Sequence, residues 1–543
     1  MKKLLILIFV LSLVTRLFYL FVSIPSLSND ETDLYLSSYL LAKSGTDYHN
    51  NALFLTTGIL TAKPSIPVYI GALTWMTNME KNVINARLLF SILNSFTPFF
   101  FFLTIYLLTK NKLYSLIAFL IFNFSPWFSY ISATGYEALI SFLFINIALC
   151  LAASNINKMV KLWILLFIFF LIFSSYMAIR TYIPFLILIT LFLGGYYDKK
   201  ASLKSILLIV SITLLTSGVF FTLNYYAPNA SLVRNEFTFM ISDEKSDIDG
   251  RVWYQRLTTN APEPLKKILV NKVTVKLQDY TQKYLSAFDT NIFFFRGDPS
   301  SLYGTAGLIG LFYLTDFAFF LFGLFNIRLM DKKLRYLLLF LAIGSIPIAL
   351  TRTVITVIMR GIILLIPYTI IIAHGATILI KKNKKPIVIF AVILSINWLS
   401  YMTLYISRIV PLNSDAWQMN YKLIANKVAH LDKQKQIYIL EGEAKQAYMQ
   451  FLFYNIDNPF EIKSILKKNI FAYRNILYTD KCPKEIEVKN TIYIMKKNYC
   501  GDLYRKYIFM NPEELKKQRI TINTSFLLNS SMSGDDYILI GKN

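Results

Sequence analysis

The chain has 543 residues, of which 55% are hydrophobic and 16% aromatic, and its mean hydropathy is +0.48. Charged residues make up only 16%, against about 25% in a typical soluble protein, which excludes a soluble enzyme, a disordered chain and a coiled coil. Lys and Arg total 56 against 32 Asp and Glu, so the net charge is +24. In a membrane protein this excess records orientation, and a basic surface for nucleic acid is the weaker interpretation. Only three Cys and three His are present, which argues against a disulfide scaffold and a His-rich metal site.

Apolar runs of about twenty residues predict membrane-spanning helices. The first run follows Met1-Lys2-Lys3 but lacks a small-residue cleavage site, so we interpret it as a retained helix and not as a signal peptide. The hydropathy pattern predicts about eleven spans, at 4–24, 85–109, 113–131, 137–154, 161–179, 182–197, 203–223, 306–329, 334–351, 355–380 and 386–407.

The loops between these runs predict the orientation of the chain. If the N-terminus lies inside, every loop assigned to the cytoplasm carries more basic than acidic residues. The loop 328–335, for example, has four basic residues and one acid, Asp331. We therefore predict a multi-pass membrane protein with its N-terminus in the cytoplasm. An odd number of spans then places three long segments outside, at about 25–84, 224–300 and from 408 onward.

The last outer segment is predicted to fold as a small α/β domain. Strand-like stretches at 436–440, 491–495 and 537–540 alternate with helix-like ones, and about 130 residues suffice for a small core. We therefore divide the chain into a membrane domain, 1–407, and an extracytoplasmic α/β domain, 408–543. Two of its residues, Cys482 and Cys500, either pair in an oxidising compartment or remain thiols, and the sequence leaves both open.

Two adjacent carboxylates, Asp30 and Glu31, follow the first span. The structural interpretation is a capping box, because Glu31 comes three residues after Ser28 and acids favour the first turn of a helix. The functional interpretation is a general base that faces the outer leaflet.

Cations and one further acid in the outer part of the chain are the other candidates. Lys63, followed by Pro64, is either a snorkelling cation or a ligand for a phosphate-bearing lipid. Glu137 and Arg180 stand at span ends, where helix-dipole and interfacial roles are the structural alternatives. Arg360 is predicted to lie in the outer third of its helix, within reach of the outer acids, and to bind a lipid phosphate.

Two more charges fall inside predicted spans. Arg16 and Asp316 are predicted near mid-depth, where ionisable residues are expensive. We expect them to form a structural ion pair.

Short motifs distributed over most of the chain then converge on one family. The sequence resembles the polytopic GT-C glycosyltransferases, specifically the bacterial relatives of the protein O-mannosyltransferases and of the lipid A aminoarabinose transferase, which are similar to glycosyltransferase family 39. The motifs are Thr15-Arg16-Leu17, Asp30-Glu31, Gly45 with Asp47, Lys63-Pro64, Arg87-Leu88, Ser125-Pro126-Trp127, Tyr136-Glu137-Ala138, Arg180-Thr181-Tyr182-Ile183-Pro184, Phe295-Arg296-Gly297-Asp298, Asp316, Arg360 ahead of Pro367, and Trp417 through Tyr421-Lys422.

This resemblance implies a GT-C fold and an enzyme that takes one sugar from a polyprenyl-phosphate donor at the outer face. It implies that Asp30 is the base and that Lys63 neutralises the donor phosphate. We add the adjacent Glu31 as a second catalytic candidate that could partly substitute for Asp30. We further predict that Arg360, Arg180, Glu137 and Asp47 contribute to binding of the substrate or its phosphate. The acceptor is a lipid, a glycan or a protein, and the need for a divalent cation stays open.

The chain also departs from the family patterns. Ala62 stands where the aminoarabinose transferases have a Glu, and Thr32 and Asp33 stand where they have an Arg, which argues against the same substrate. The Trp-Trp-Asp motif of the oligosaccharyltransferases is missing from the sequence. Two other functions remain as alternatives: a lipid or polysaccharide transporter, and a membrane scaffold without catalytic activity.

Overall fold

The computed structural model contains mainly helices, with one sheet near the C-terminus. The predicted span at 203–223 lies almost entirely outside the described residues. Those residues are 2–48, 59, 63–195, 207, 211, 214, 218, 222, 245–298, 304–350, 357–381, 385–414, 416–468, 471–483, 485, 490–496, 499–508, 510–523 and 537–542.

The described part of the first two hundred residues contains ten α-helices. They are α1 (Lys2–Val22), α2 (Asn29–Ser44), α3 (Ser65–Met76), α4 (Val83–Asn94), α5 (Phe96–Thr109), α6 (Lys112–Phe124), α7 (Pro126–Ile131), α8 (Glu137–Ala153), α9 (Lys158–Phe173) and α10 (Ile183–Leu193), with a 3-10 turn at Ala178–Tyr182 before the last. The chain turns between α6 and α7 because Ser125 is extended and Pro126 starts the next helix, where its missing N–H costs nothing.

The helices that follow are shorter on average. They are α11 (Lys245–Thr258), α12 (Glu263–Leu269), α13 (Lys272–Ser286), α14 (Leu314–Phe325), α15 (Lys332–Leu337), α16 (Leu339–Gly344), α17 (Ile346–Ala349), α18 (Val357–Arg360), α19 (Leu365–Lys381), α20 (Lys385–Leu404) and α21 (Val410–Asn413). Short 3-10 or π turns also occur at Asn291–Phe295, Ile327–Leu329, Ile362–Leu364 and Tyr405–Ile409.

Several predicted spans coincide with apolar helices. Four described helices are long and apolar enough to cross a membrane, at Lys2–Val22, Val83–Thr109, Ile362–Ile380 and Ile387–Asn413. Five shorter apolar helices, α3, α6, α8, the segment Ala178–Leu193 and α14, accompany them. The predicted span at 334–351 is not one continuous helix but the three pieces α15, α16 and α17. The count of eleven spans and the orientation stay predictions.

The C-terminal segment contains the predicted sheet. Its six strands are β1 (Gln436–Leu440), β2 (Ala472–Tyr473), β3 (Ile476–Thr479), β4 (Thr491–Lys496), β5 (Ile520–Asn523) and β6 (Tyr537–Lys542), in the order β2-β3-β1-β4-β6-β5. The central strand β1 runs parallel to β3 and β4, and the other pairs are antiparallel. The helices of this segment are α22 (Met419–Val428), α23 (Ala444–Asn455), α24 (Pro459–Lys467), α25 (Gly501–Ile508) and α26 (Pro512–Lys517).

Helix α23 joins this C-terminal segment to the segment between α1 and α4. Its Gln450 side chain is buried and donates to the carbonyl of Leu27 (2.8 Å) and to Thr32 Oγ1 (2.7 Å). Trp75 of α3 and Phe453 of α23 meet edge to face in the same apolar core. The C-terminal segment and the segment between α1 and α4 therefore fold against each other beside the start of α2.

Cys482 and Cys500 form a disulfide. It links the segment that follows β3 to the residue before α25, over a sequence separation of 18. Cys150 is a free cysteine on α8.

The predicted ion pair between Arg16 and Asp316 is wrong. Arg16 is fully buried and donates to the carbonyls of Phe128 (3.1 Å) and Asn123 (2.6 Å) and to Ser132 Oγ, so it braces the turn between α6 and α7. Helix α14 begins only at Leu314, which puts Asp316 in the first helical turn and not at mid-span. Its carboxylate accepts from the backbone N–H of Tyr313 at 3.0 Å, as acids at helix starts do.

Candidate active site

Three charged side chains from separate parts of the chain meet at the start of α2. Lys63 Nζ lies 2.8 Å from Asp30 Oδ1 and 3.3 Å from Glu137 Oε1. The Lys63 side chain is 5% exposed and that of Glu137 10%, whereas that of Asp30 is 39% exposed. This triad therefore has a buried cation with one carboxylate that solvent and ligands can reach.

Local structure explains why Asp30 and Lys63 meet. Ser28 caps α2, which puts Asp30 and Asp33 on one face of the helix at a spacing of three residues. Asp33 is fully buried, and its Oδ1 accepts from the backbone N–H of Ile59 at 2.6 Å. Asp33 thereby fixes the chain four residues before Lys63, and Pro64 fixes it on the other side by leading into α3.

The electrostatics of the triad keep Lys63 charged. Burial by itself would lower the pKa of Lys63, but the negative charges of Asp30, Glu137 and Asp33 outweigh burial and raise the pKa well above its ordinary value. Two carboxylates lie within 4 Å of this single cation. The positive charge of Lys63 is thus already balanced before any anionic ligand arrives.

Glu31 belongs to a different cluster, which corrects the expectation that the two adjacent carboxylates act together. Its side chain and that of Arg87 are fully buried, with Arg87 Nε 2.8 Å from Oε1 and Nη2 2.5 Å from Oε2. The backbone N–H groups of Gly135 (2.7 Å) and Ser28 (3.2 Å) also donate to this carboxylate. Glu31 therefore completes the predicted capping box and anchors α4 and the loop before α8.

Position 135 requires glycine, because the Tyr35 side chain occupies the space that a Cβ would fill. A Cβ at this position would lie 1.8 Å from the Tyr35 hydroxyl oxygen, which is closer than any real contact. The same loop leads two residues later into Glu137 of the triad. Close packing of Tyr35 on Gly135 therefore helps to place the Glu137 carboxylate.

Arg180 and Arg360, the other predicted phosphate ligands, lie on two segments that are linked through Tyr182. The Arg180 guanidinium donates to the carbonyl of Phe173 (3.1 Å) and lies 4.5 Å from the centre of its ring. Tyr182, two residues on, donates its hydroxyl to the carbonyl of Arg360 at 2.6 Å. The turn that Arg180 braces also contacts the segment after Lys63, because the N–H of Ile66 donates to the carbonyl of Ser174.

Sequence reasoning gave no role to Asp298. This carboxylate is fully buried, and its Oδ2 accepts from the backbone N–H of Val357 at 3.1 Å, at the first residue of α18. Helix α18 ends with Arg360, so Asp298 helps to position the helix that carries this arginine. The signal was the motif Arg296-Gly297-Asp298, in which Gly297 has a φ of 76°.

Asp47 stands at the contact with the C-terminal domain. It is fully buried, and the neighbouring Thr46 accepts a hydrogen bond from Lys463 of α24 at 2.6 Å. Burial lowers the pKa of Lys463, and the charge of Asp47 opposes that shift. This position favours a structural role for Asp47 over the predicted contact with substrate.

A cleft of about 620 Å³ opens beside the exposed side of the triad. One wall is the start of α2, with Asn29 and Asp30, and the other belongs to the C-terminal domain. Its remaining lining residues are Gly442, Glu443, Ala444, Lys445, Gln446, Phe471 and Asp480.

Within the described part of the chain, no three His, Cys, Asp or Glu side chains are grouped so that they could hold a metal ion. The need for a divalent cation therefore stays open.

Comparison with models of protein families gives no match to this chain, and comparison with curated proteins gives none either. Solved structures do match. The chain is similar to ArnT from Cupriavidus metallidurans bound to undecaprenyl phosphate, with 10% identity and a TM-score of 0.50 over 99% of this chain and 98% of that one. It also matches the archaeal oligosaccharyltransferase AglB from Archaeoglobus fulgidus, with 12% identity and a TM-score of 0.46 over 91% of this chain and 69% of that one. The chain therefore has the fold of ArnT, and the predicted architecture of apolar helices followed by a small C-terminal sheet is confirmed.

Proposed function

We propose that this protein is an inverting glycosyltransferase that moves one sugar, a hexose or a pentose, from a polyprenyl-phosphate donor to an acceptor hydroxyl. The reaction takes place on the outer face of the bacterial cytoplasmic membrane. The observation that carries the proposal is the triad of Asp30, Lys63 and Glu137, in which a reachable carboxylate adjoins a buried cation. The ArnT structure with the same fold is bound to undecaprenyl phosphate, which supports a lipid of this class as the donor carrier.

Asp30 is the proposed general base. It removes the proton from the acceptor hydroxyl while that oxygen attacks the anomeric carbon. The bond from the anomeric carbon to the phosphate oxygen breaks at the same time, and the lipid leaves as a phosphate monoester. One displacement inverts the configuration at the anomeric carbon. Glu31 takes no direct part, since it is fully buried against Arg87.

The leaving phosphate gains negative charge and needs cations close by. Lys63 is one of them, but Asp30 and Glu137 already balance its charge. Arg180 and Arg360, on two segments linked through the Tyr182 hydroxyl, supply the additional positive charge. On this proposal the donor phosphate lies between Lys63 and the two arginines, and Glu137 orients Lys63.

Placement of the candidate charges favours an enzyme over the two alternatives. A transporter needs essential charges along a path through the membrane, whereas Asp30 and Lys63 belong to the predicted outer segment. A scaffold has no use for a buried lysine held between two carboxylates, which is costly to desolvate.

The test is donor turnover by the purified full chain in lipid nanodiscs. A panel of undecaprenyl-phosphate-linked hexoses and pentoses is supplied together with a membrane extract as the source of acceptors, and released undecaprenyl phosphate is measured. We expect turnover with at least one donor and its loss in Asp30→Asn. Glu80→Gln, an exposed acid of the same outer segment, is the matched control. No turnover with any donor, or full turnover by Asp30→Asn, would contradict the proposal.

A further inference from the structure

The cleft beside Asp30 has a charge opposite to that of the protein as a whole. The chain carries 56 basic and 32 acidic residues, yet the ionisable side chains that line the cleft are three carboxylates, Asp30, Glu443 and Asp480, and one lysine, Lys445. Phe471 adds an aromatic ring to the lining. The local chemistry is therefore acidic and aromatic, in a protein that is basic elsewhere.

Tyr499 packs against the backbone of the cleft wall that the C-terminal domain contributes. Tyr499 donates its hydroxyl to the carbonyl of Asp480 at 2.7 Å. A Cβ on Gly442 would lie 3.1 Å from the ring of the same tyrosine, so little room exists there for a side chain. The disulfide between Cys482 and Cys500 links the segment that contains Asp480 to the segment that contains Tyr499. The side chains of Glu443 and Asp480 are thus presented on a braced backbone.

We propose that this cleft binds the acceptor, and that the acceptor is a neutral, polyhydroxylated molecule, namely a sugar unit of a glycan or glycolipid. The inference rests on the proposed function, because a general base must contact the hydroxyl that it deprotonates. Asp30 lines this cleft together with Glu443 and Asp480 of the C-terminal domain, so an acceptor bound there would lie beside the base.

Charge and hydrogen-bonding capacity argue for this class. Ionised carboxylates only accept hydrogen bonds, so Glu443 and Asp480 match groups that donate, such as the hydroxyls of a sugar. Lys445 supplies donors for ring and hydroxyl oxygens, and Phe471 offers an apolar face to the C–H side of a sugar ring. A phosphorylated or carboxylated acceptor would instead meet like charges, which disfavour its binding.

The test measures protection of a thiol in the cleft. Lys445→Cys is made in the full-length protein with Cys150→Ala, which removes the free native thiol, and its reaction with a maleimide is followed in nanodiscs. Lys468→Cys, an exposed position of the same domain outside the lining, is the control. The probes are neutral tetrasaccharides of glucose, mannose and N-acetylglucosamine, tetragalacturonate as the anionic sugar, and an uncharged peptide rich in Ser and Thr.

We expect at least one neutral tetrasaccharide to slow labelling of Lys445→Cys, by about tenfold at ten times its Kd, and to leave Lys468→Cys unchanged. Adding Glu443→Gln and Asp480→Asn should weaken this protection. Protection by tetragalacturonate or by the peptide alone would overturn the assignment, and so would the absence of protection by every neutral sugar or equal slowing at the control position.

Donor turnover separates this inference from the proposed function. Donor turnover without protection by neutral sugars leaves the glycosyltransferase in place and removes the sugar acceptor. Protection without turnover of any donor shows a sugar-binding cleft in a protein that is not this enzyme.

Discussion

Lys63 and Asp30 form an ion pair, with Nζ 2.8 Å from Oδ1, between a segment just before α3 and the first turn of α2. The sequence suggested two separate tasks for them, phosphate binding and proton removal. Their contact means that a change at one residue alters the charge and position of the other. Glu137, 3.3 Å from the same Nζ, extends this coupling to the start of α8.

The first prediction concerns Asp30→Asn. Asn is nearly isosteric and its amide oxygen still accepts a hydrogen bond from Lys63, so the fold should persist. The base is lost, and general base catalysis typically contributes about 10²–10⁴-fold in rate. We therefore expect turnover of the donor to fall by about that factor while the melting temperature stays near that of the wild type. Near-normal turnover in the folded variant would return Asp30 to a role in helix capping.

The second prediction tests the ion pair itself with Asp30→Ala, which removes the contact altogether, Lys63→Met and the double variant. Residues in direct contact show interaction energies of about 0.5–3 kcal/mol in such cycles. We expect a value in the lower part of that range for unfolding, because Asp30 is partly exposed and water screens the pair. Chemical unfolding in detergent gives the four free energies, and strictly additive effects would show that the two side chains do not interact.

Glu31→Gln is predicted to act on stability and not directly on turnover. Removing the negative charge leaves the fully buried Arg87 without its counter-ion, and loss of one partner of a buried pair costs about 3–5 kcal/mol. Thermal unfolding of the purified protein measures the loss. The double variant Glu31→Gln with Arg87→Met should recover part of it. If Glu31→Gln melts like the wild type but turns over poorly, Glu31 takes part in the chemistry after all.

Some of this site was predictable from sequence because it is local. The capping box of Ser28 and Glu31 and the acidic first turn of α2 depend on residues a few positions apart. The partners of Arg16 and Glu31 were not predictable, since Asn123 and Arg87 are brought to them only by packing of distant helices. The predicted depth of Asp316 was wrong for a different reason: hydropathy does not reveal that α14 begins only at Leu314.

The fourth prediction follows from the raised pKa of Lys63. Burial opposes the shift, but Asp30, Glu137 and Asp33 raise the pKa well above the ordinary value of 10.5. A raised pKa makes the charged form contribute stability at every pH below the ordinary value, and this contribution is lost only as the pH rises through the higher value in the folded state. The difference in donor affinity between wild type and Lys63→Met should therefore stay constant from pH 7 to about pH 10. A difference that vanishes near pH 8 would mean that Lys63 loses its proton there.

The last prediction concerns Asp33, which accepts a hydrogen bond from the chain four residues before Lys63. Its Oδ1 accepts from the N–H of Ile59 at 2.6 Å in a fully buried position. Asp33→Asn keeps an acceptor for that N–H, whereas Asp33→Ala removes it and leaves a buried donor unpaired, at a cost of about 1–3 kcal/mol.

We therefore expect Asp33→Ala to raise KM for the donor several-fold, because Lys63 is no longer held in register, and Asp33→Asn to restore most of the affinity. A loss of stability alone would not produce this difference in KM between Asp33→Ala and Asp33→Asn, since the KM of the folded fraction is independent of how much protein has unfolded. Steady-state kinetics with varied donor, on protein selected as monodisperse, supplies both constants. Equal KM values in Asp33→Ala and the wild type would show that Lys63 keeps its position without this contact.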